Sequence, residues 1–233
     1  MTNLLKNKIS NDKESMLAMV SHDLKNPINA GILAVKLLEN KTLSPLNPYQ
    51  EEILENIFTS LKYMKNLIEN ILDRYKFNNN AYKLNKVSVD FSIFVNSVLD
   101  RAKYIFLDKS QTLRLSNSLN NNIVEIDLLE IERVISNLLS NSCRYSPSGS
   151  EITICLFEKG ENICFSIENL GAGIQNPCSV FDKFVTNNDN SKTLATGLGL
   201  YIVKEIITAH QGEVFIESEV NKFTRVTFIL PRK

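Results

Sequence analysis

The sequence has little that would bind by bulk charge, by clustered thiols or by insertion into lipid. Lys+Arg and Asp+Glu number 26 each, so the formal net charge is zero. There is no basic excess to hold nucleic acid and no net field to draw the chain to an anionic membrane. The four cysteines, Cys143, Cys155, Cys164 and Cys178, form no C-x-x-C pair, which removes the common zinc and dithiol redox motifs. They read as reduced thiols and predict a cytoplasmic protein. No apolar run approaches the ~18 residues that span a bilayer. Residues 1–14 are predominantly polar and lack the apolar core of a signal peptide. Histidine is scarce as well: His22 and His210 are the only two.

What is present is ordinary for a folded chain. Hydrophobic residues make up 43% and charged residues 22% of 233, enough for one large or two modest domains. Residues 12–40 place Met16, Met19, Val20, Leu24, Ile28, Val35 and Leu38 on one helical face. Pro45 and Pro48 interrupt the pattern. A second helix is predicted from Pro48 to about Phe77, with Ile53, Ile57, Leu61, Met64, Ile68, Ile71 and Tyr75 in coiled-coil-like steps. Two such helices make an antiparallel hairpin. Each hairpin leaves an apolar stripe to be covered, so two should pair as a four-helix bundle in a homodimer.

Asn78 to Lys86 reads as a linker, after which the pattern mixes. Strands are predicted at Val87–Phe91, Ile123–Ile126, Glu151–Phe157, Asn162–Glu168, Glu213–Ser218 and Arg225–Leu230. Helices are predicted at Ser92–Leu107, from a cap at Asp127 to about Ser142, and at Gly197–His210. The elements do not alternate as βαβ units, so an α+β two-layer sandwich is expected rather than a doubly wound sheet.

Four stretches can carry chemistry. His22 lies in Ser21-His22-Asp23-Leu24-Lys25-Asn26-Pro27, a helical pattern broken by a proline that costs about 3 kcal/mol in a helix interior. That cost is consistent with a reactive imidazole on a helix that must flex; an ordinary surface histidine is the plainer reading. In Asn137-Leu138-Leu139-Ser140-Asn141-Ser142-Cys143-Arg144-Tyr145-Ser146, Asn137 and Asn141 share a helix face while Leu138 and Leu139 point into the core. Two neutral oxygens one turn apart suit Mg²⁺, which takes its remaining ligands from water and phosphate. Arg144 adds positive charge and Tyr145 a flat surface for a base. Asn169-Leu170-Gly171-Ala172-Gly173 follows a strand and lets backbone approach a ligand. Ala195-Thr196-Gly197-Leu198-Gly199 opens a helix, where backbone N–H groups can cradle phosphate. It is neither a P-loop nor a dinucleotide fingerprint. Between the last two, Phe181-Asp182-Lys183-Phe184 and a polar stretch to Thr193 read as a lid with an aromatic anchor. Taken singly, each stretch also fits a plain turn, cap or solvated face.

Taken together and in this order, they closely resemble the sensor histidine kinases of two-component signalling, over about Ser15 to Pro231. His22 to Pro27 resembles their phospho-acceptor box, Asn137 to Ser146 their asparagine box, and Phe181 to Phe184 their phenylalanine box. Asn169-x-Gly171-x-Gly173 and Gly197-x-Gly199 resemble the two glycine boxes, and His210-Gln211-Gly212 the family's close of its last helix. The resemblance implies an N-terminal extension (1–14), a dimerisation and histidine-phosphotransfer hairpin (15–80) and a gyrase-like catalytic ATP-binding domain (81–233). It implies a cofactor pair of ATP and Mg²⁺, with Asn141 as the metal ligand, Arg144 on phosphate and Tyr145 at the adenine. Asn137, Asn169, Gly171, Gly173, Thr196, Gly197, Leu198 and Gly199 would complete the nucleotide site, with Lys192 a lid contact to the γ-phosphate.

The implied reaction transfers the γ-phosphoryl group to His22, whose neutral imidazole is available near pH 7 because its ordinary pKa is about 6.5. By resemblance Asp23 would fix the ring tautomer, and Asn26, one turn beyond His22, would orient water in a phosphatase reaction. The partner would be a response-regulator receiver domain, docking near Ala30, Ile32 and Ala34, residues that core packing would explain equally well. His210 would be structural, its charge or hydrogen bonds serving a helix end.

Three positions depart from the family pattern. Asn169 stands where an aspartate usually accepts from the adenine amino group, so charge-assisted strength is lost and weaker ATP binding is expected. Ala195 replaces a usual glycine, and Thr186 a frequent basic residue. A second reading is therefore a non-catalytic phosphotransfer or pseudokinase scaffold with a degenerate ATP site. A related ATPase or chaperone is disfavoured because Asn137, not a glutamate, lies one turn before Asn141. The residues before the hairpin are too few for a sensor domain, so the stimulus would come from a separate sensor protein or from a larger chain of which this is the C-terminal part.

Overall fold

The structure is a computed structural model that describes residues 24–26, 28–36, 46–78, 83–177, 180–181 and 199–232. It separates into two compact units, with the described residues up to 78 in the first and those from Lys83 onward in the second.

The first unit is helical. Residues 24–26 and 28–36 form α1, and Pro48–Asn78 form α2. The start of α2 is a reciprocal cap. Gln50 N donates to Asn47 Oδ1 at 2.9 Å, and Asn47 N donates to Gln50 Oε1 at 3.0 Å, with Pro48 between them at the first helical position. Ile28, Val35 and Leu54 are buried. Gly31 lies against Leu61, where an added Cβ would sit 2.9 Å from Cδ1, and Lys36 Nζ stands 6.0 Å from the Phe58 ring centroid. Advancing along α1 thus retreats along α2, which makes the pair an antiparallel hairpin. Ile53, Ile57 and Met64 remain 41%, 43% and 42% exposed, so a single hairpin leaves part of its apolar stripe in water.

The second unit is a two-layer α+β sandwich. Its main sheet has the order β2-β4-β5-β7-β6: β2 Thr112–Asn117, β4 Glu151–Lys159, β5 Asn162–Leu170, β7 Phe223–Leu230 and β6 Glu213–Glu219. The β2–β4 pair is parallel and the others antiparallel. A separate antiparallel pair joins β1 (Val87–Asp90) to β3 (Ile123–Ile126). Helices α3 (Phe91–Ala102), α4 (Leu128–Tyr145) and α5 (Gly199–Ala209) complete the unit. The period of two puts Ile152, Ile154 and Leu156 of β4 and Ile163, Phe165 and Ile167 of β5 on the buried face. Opposite them are Ile131, Val134 and Ile135 of α4, with Leu138 and Leu139, which the sequence reading pointed into the core; all five are buried. The Phe165 and Phe228 rings stack with centroids 4.9 Å apart.

Three elements differ from the sequence reading. Phe91 opens α3 rather than closing β1, because Asp90 caps that helix through a 2.9 Å bond from Ile93 N. Helix α3 ends at Ala102, and Lys103–Phe106 tighten into a 3₁₀ turn that buries Phe106. Strand β2 was not anticipated. Its alternation spans only Leu113 and Leu115 among polar residues, and its parallel pairing depends on a strand distant in sequence.

Asp127 ties the unit together. Its Oδ1 accepts from Leu129 N at 3.1 Å and Glu130 N at 3.3 Å, capping α4, while Oδ2 accepts from Asn85 N at 2.8 Å. Its own N donates to His210 Nε2 at 3.0 Å. His210 Nδ1 lies 2.8 Å from Ile206 O, so the ring carries its proton on Nδ1 and is neutral. His210 is structural through hydrogen bonds, not charge. Burial pushes its imidazole below the ordinary value, outweighing the opposite pull of the Ile206 carbonyl. The unfolded chain takes a proton below about pH 6.5 that the folded ring resists, so stability is full above that pH and falls below it. We predict that His210→Phe lowers unfolding free energy by about 1–3 kcal/mol, since it strands Asp127 N. The variant should also lose part of the decline in stability between about pH 7.5 and about pH 5.5. Urea unfolding at the two pH values measures both effects.

Candidate functional site

Helix α4 supplies one wall of a cavity of about 200 Å³ within the second unit. Its turns place Leu138, Asn141, Ser142, Arg144 and Tyr145 on the lining. The opposite wall comes from Asn169 at the end of β5, from Ala172 to Ile174 beyond it, and from Thr224 and Val226 of β7. Val180, Leu200 and Ile216 contribute apolar surface. The lining is therefore mostly apolar with a few convergent polar groups, the composition of a small-molecule site.

The glycines are there for close approach. A Cβ at Gly171 would collide with the Tyr145 carbonyl oxygen, so no side chain fits between the β5 end and α4. Gly173 has φ +68° and an added Cβ would lie 2.8 Å from Val220 Cα. The strand-end loop is anchored by Ile174 N, which donates to Ser218 Oγ at 2.9 Å. Asn169 is buried, and its Nδ2 donates to Leu170 O at 3.0 Å. With the amide nitrogen so engaged, Oδ1 remains as the acceptor and takes no protein partner among the described residues.

Gly199 joins the asparagine face. An added Cβ there would lie 3.7 Å from Asn137 Oδ1 and 3.9 Å from Asn141 Nδ2. The structure thus brings Asn137, Asn141, Arg144, Tyr145, Asn169, Gly171, Gly173 and Gly199 around one end of α4. Asn26 belongs to the first unit, where it is exposed on α1. His22, Asp23, Lys192, Thr196, Gly197 and Leu198, with Thr186, Ala195 and Asp182 to Phe184, lie outside the described residues. Sequence reading missed Thr224, Val226, Ile216 and Ile174. Their only signal was β alternation and a position just past a glycine pair, which specifies a sheet face but not a cavity.

The donors fit a hard cation shared with phosphate. Asn137 and Asn141 offer neutral oxygens, and no cluster of three or more His, Cys, Asp or Glu among the described residues could hold a metal alone. A cation here would draw its other ligands from phosphate and water. Cys143, next to the site, is a thiol that donates to Ile105 O at 3.2 Å, and burial pushes its pKa up.

Known families match both units in sequence. Residues 12–80 match the His Kinase A (phospho-acceptor) domain, and residues 126–233 match the histidine kinase-, DNA gyrase B-, and HSP90-like ATPase. Together the two matches take in most of the chain, which carries the phospho-acceptor and ATPase domains of the histidine kinases. It is 30% identical over 239 residues to sensor histidine kinase WalK of Bacillus subtilis, covering 97% of this chain and 38% of that protein. It is 32% identical over 219 residues to sensor protein KdpD of Clostridium acetobutylicum, covering 90% of this chain and 24% of the relative. The chain therefore spans well under two thirds of both. In fold it is similar to full-length ShkA, solved in complex with AMPPNP, with a TM-score of 0.75 at 20% identity over 93% of this chain and 45% of that one. No helix among the described residues is long and apolar enough to cross a membrane.

Gly173→Ala should destabilise the second unit by about 2–4 kcal/mol, because it combines a collision with backbone and a positive φ. Denaturant unfolding checks it, with Gly149→Ala, which has open space around it, as a milder comparison.

Proposed function

We propose that the chain is the kinase core of an ATP-dependent protein histidine kinase that autophosphorylates His22 and then passes the phosphoryl group to an aspartate of a response-regulator receiver domain. The observation that carries the reading is the meeting of Asn141, Arg144 and Tyr145 with Asn169 and Gly173 around one cavity, beside Gly199. Bound there, ATP with Mg²⁺ supplies the γ-phosphoryl group and leaves as ADP. Asn141, with Asn137 one turn earlier, offers the amide oxygens that suit the ion. Arg144 neutralises phosphate charge, and the Tyr145 ring flanks the base. Asn169 Oδ1 accepts from the adenine amino group, and Gly171 and Gly173 let backbone come within reach of the ring. Thr196, Gly197, Leu198 and Gly199 offer backbone amides to the phosphates, and Lys192 adds a cation from the lid.

Phosphoryl transfer asks mainly for positioning and charge neutralisation. The P–O bond to ADP breaks, a P–N bond to the neutral His22 imidazole forms, and the ring proton leaves to solvent. Asp23 holds the ring tautomer. Asn26, exposed on α1, orients water when the receiver aspartyl-phosphate is hydrolysed. Ala30 and Ala34 are exposed and Ile32 half-buried near that end, a surface of small side chains that suits receiver docking. Two hairpins pair through the exposed Ile53, Ile57 and Met64 to bury the remaining stripe as a four-helix bundle, making the kinase a homodimer. The setting is the cytoplasm, with the stimulus delivered by a separate sensor or by further parts of a longer protein.

Labelling with γ-labelled ATP and Mg²⁺ tests this directly. Wild type should acquire acid-labile, base-stable label that His22→Gln lacks. Asn169→Asp should tighten ADP binding by about tenfold, by making the base contact charge-assisted. Absence of label on wild type with label on Asn169→Asp would instead favour the phosphotransfer scaffold with a detuned site. Ile57→Glu should convert the dimer to monomer in sedimentation, since a carboxylate in the bundle seam goes unpaired.

A further inference from the structure

The end of α4 is held by two side chains that touch no part of the cavity. Lys109 Nζ donates to Cys143 O at 3.0 Å, Arg144 O at 2.8 Å and Ser146 O at 3.3 Å. An ammonium has three donors and no acceptor, and all three are used here on converging carbonyls. Gln111 Nε2 donates to Cys143 O at 3.2 Å, Ser146 O at 3.1 Å and Pro147 O at 3.1 Å. Helix ends leave carbonyls without intrahelical partners and carry partial negative charge, so a cation with several donors suits this position.

Backbone geometry aims both groups at the same place. Ser110, between them, has φ +51°, a conformation that residues other than glycine rarely adopt. Its neighbours hold it there: Ser110 N donates to Leu107 O at 2.9 Å, Gln111 N to Phe106 O at 3.0 Å, and Gly149 N to Lys109 O at 2.8 Å. The Cys143 thiol bonds the same segment at Ile105 O. Everything secured by the clamp, from Cys143 to Pro147, contains or adjoins Arg144 and Tyr145, which face the cavity. The Tyr145 carbonyl is also the group that sits against Gly171.

We infer that Lys109 and Gln111 are positioning residues for the nucleotide site, setting Arg144 and Tyr145 by fixing the last turn of α4. This rests on the nucleotide reading above. A planar guanidinium cannot converge three donors from one atom, so arginine does not replace Lys109. Losing the clamp frees the last turn while the core face of α4, buried against the sheet, stays in place.

The test uses the full chain as wild type, Lys109→Met, Lys109→Arg and Gln111→Glu, with the core variant Ile163→Val as a control for general destabilisation. Calorimetric titration with Mg²⁺·ADP and His22 labelling across ATP concentrations give affinity and maximal rate. Lys109→Met and Lys109→Arg should each weaken ADP binding and raise half-saturating ATP by about tenfold, with the maximal labelling rate unchanged. Amide exchange should quicken at Cys143 to Ser146 and not at Ile131 to Ile135. Ile163→Val should leave ADP affinity alone. If Gln111→Glu fails to fold, the two Lys109 variants still decide the matter. Wild-type affinity in both Lys109 variants, or a loss confined to maximal rate, overturns the clamp. Absence of ADP binding by wild type overturns the nucleotide reading itself, and the clamp's role in binding with it; unchanged exchange at the helix end would overturn the clamp alone.

Discussion

The second unit depends on how one helix, α4, is held at both ends. At its start, Asp127 caps the first turn with its carboxylate and reaches Asn85 and His210 through its other polar atoms. At its finish, Lys109 and Gln111 take up the carbonyls that a helix cannot satisfy by itself. Between these anchors one face of α4 is buried against the sheet, and Asn141, Arg144 and Tyr145 beside that face line the cavity with Leu138. Without both anchors, burial would fix only the middle of the helix. The polar residues lie toward its C-terminal end, where the second anchor acts.

Apolar burial and polar satisfaction divide the labour. The stacked Phe165 and Phe228 rings and the isoleucines of β4 and β5 are non-directional ballast that fixes the distance between layers. Direction comes from hydrogen bonds with single solutions: a neutral histidine with one defined tautomer, an ammonium with three carbonyls, an amide whose nitrogen is engaged by Leu170 O. The last of these leaves the Asn169 oxygen as an acceptor on the cavity lining, the group on which the proposed adenine contact rests.

The helical hairpin follows another logic. Among the described residues its internal contacts include the buried Ile28, Val35 and Leu54 and the close approach at Gly31. Apolar surface at Ile53, Ile57 and Met64 stays in contact with water within one chain. The proposed pairing of two hairpins would cover that stripe, because two helices cannot enclose one on each side.

Much of this was legible in the residues themselves. The cap at Asp127, the proline at Pro48, the alternation of β4 and β5 and the paired asparagines are local signals, set by neighbours within a turn or two. For that reason the sequence by itself determined the type and order of most elements and the chemical groups on offer. The tertiary structure alone decided that weakly patterned Thr112–Asn117 is a strand, that Thr224 and Ile216 line the cavity, that His210 is neutral, and that Lys109 serves the end of α4. Each of these depends on contacts between residues far apart in the chain, and the geometry of such contacts is created only when the sheet, its register and the helices above it have come together.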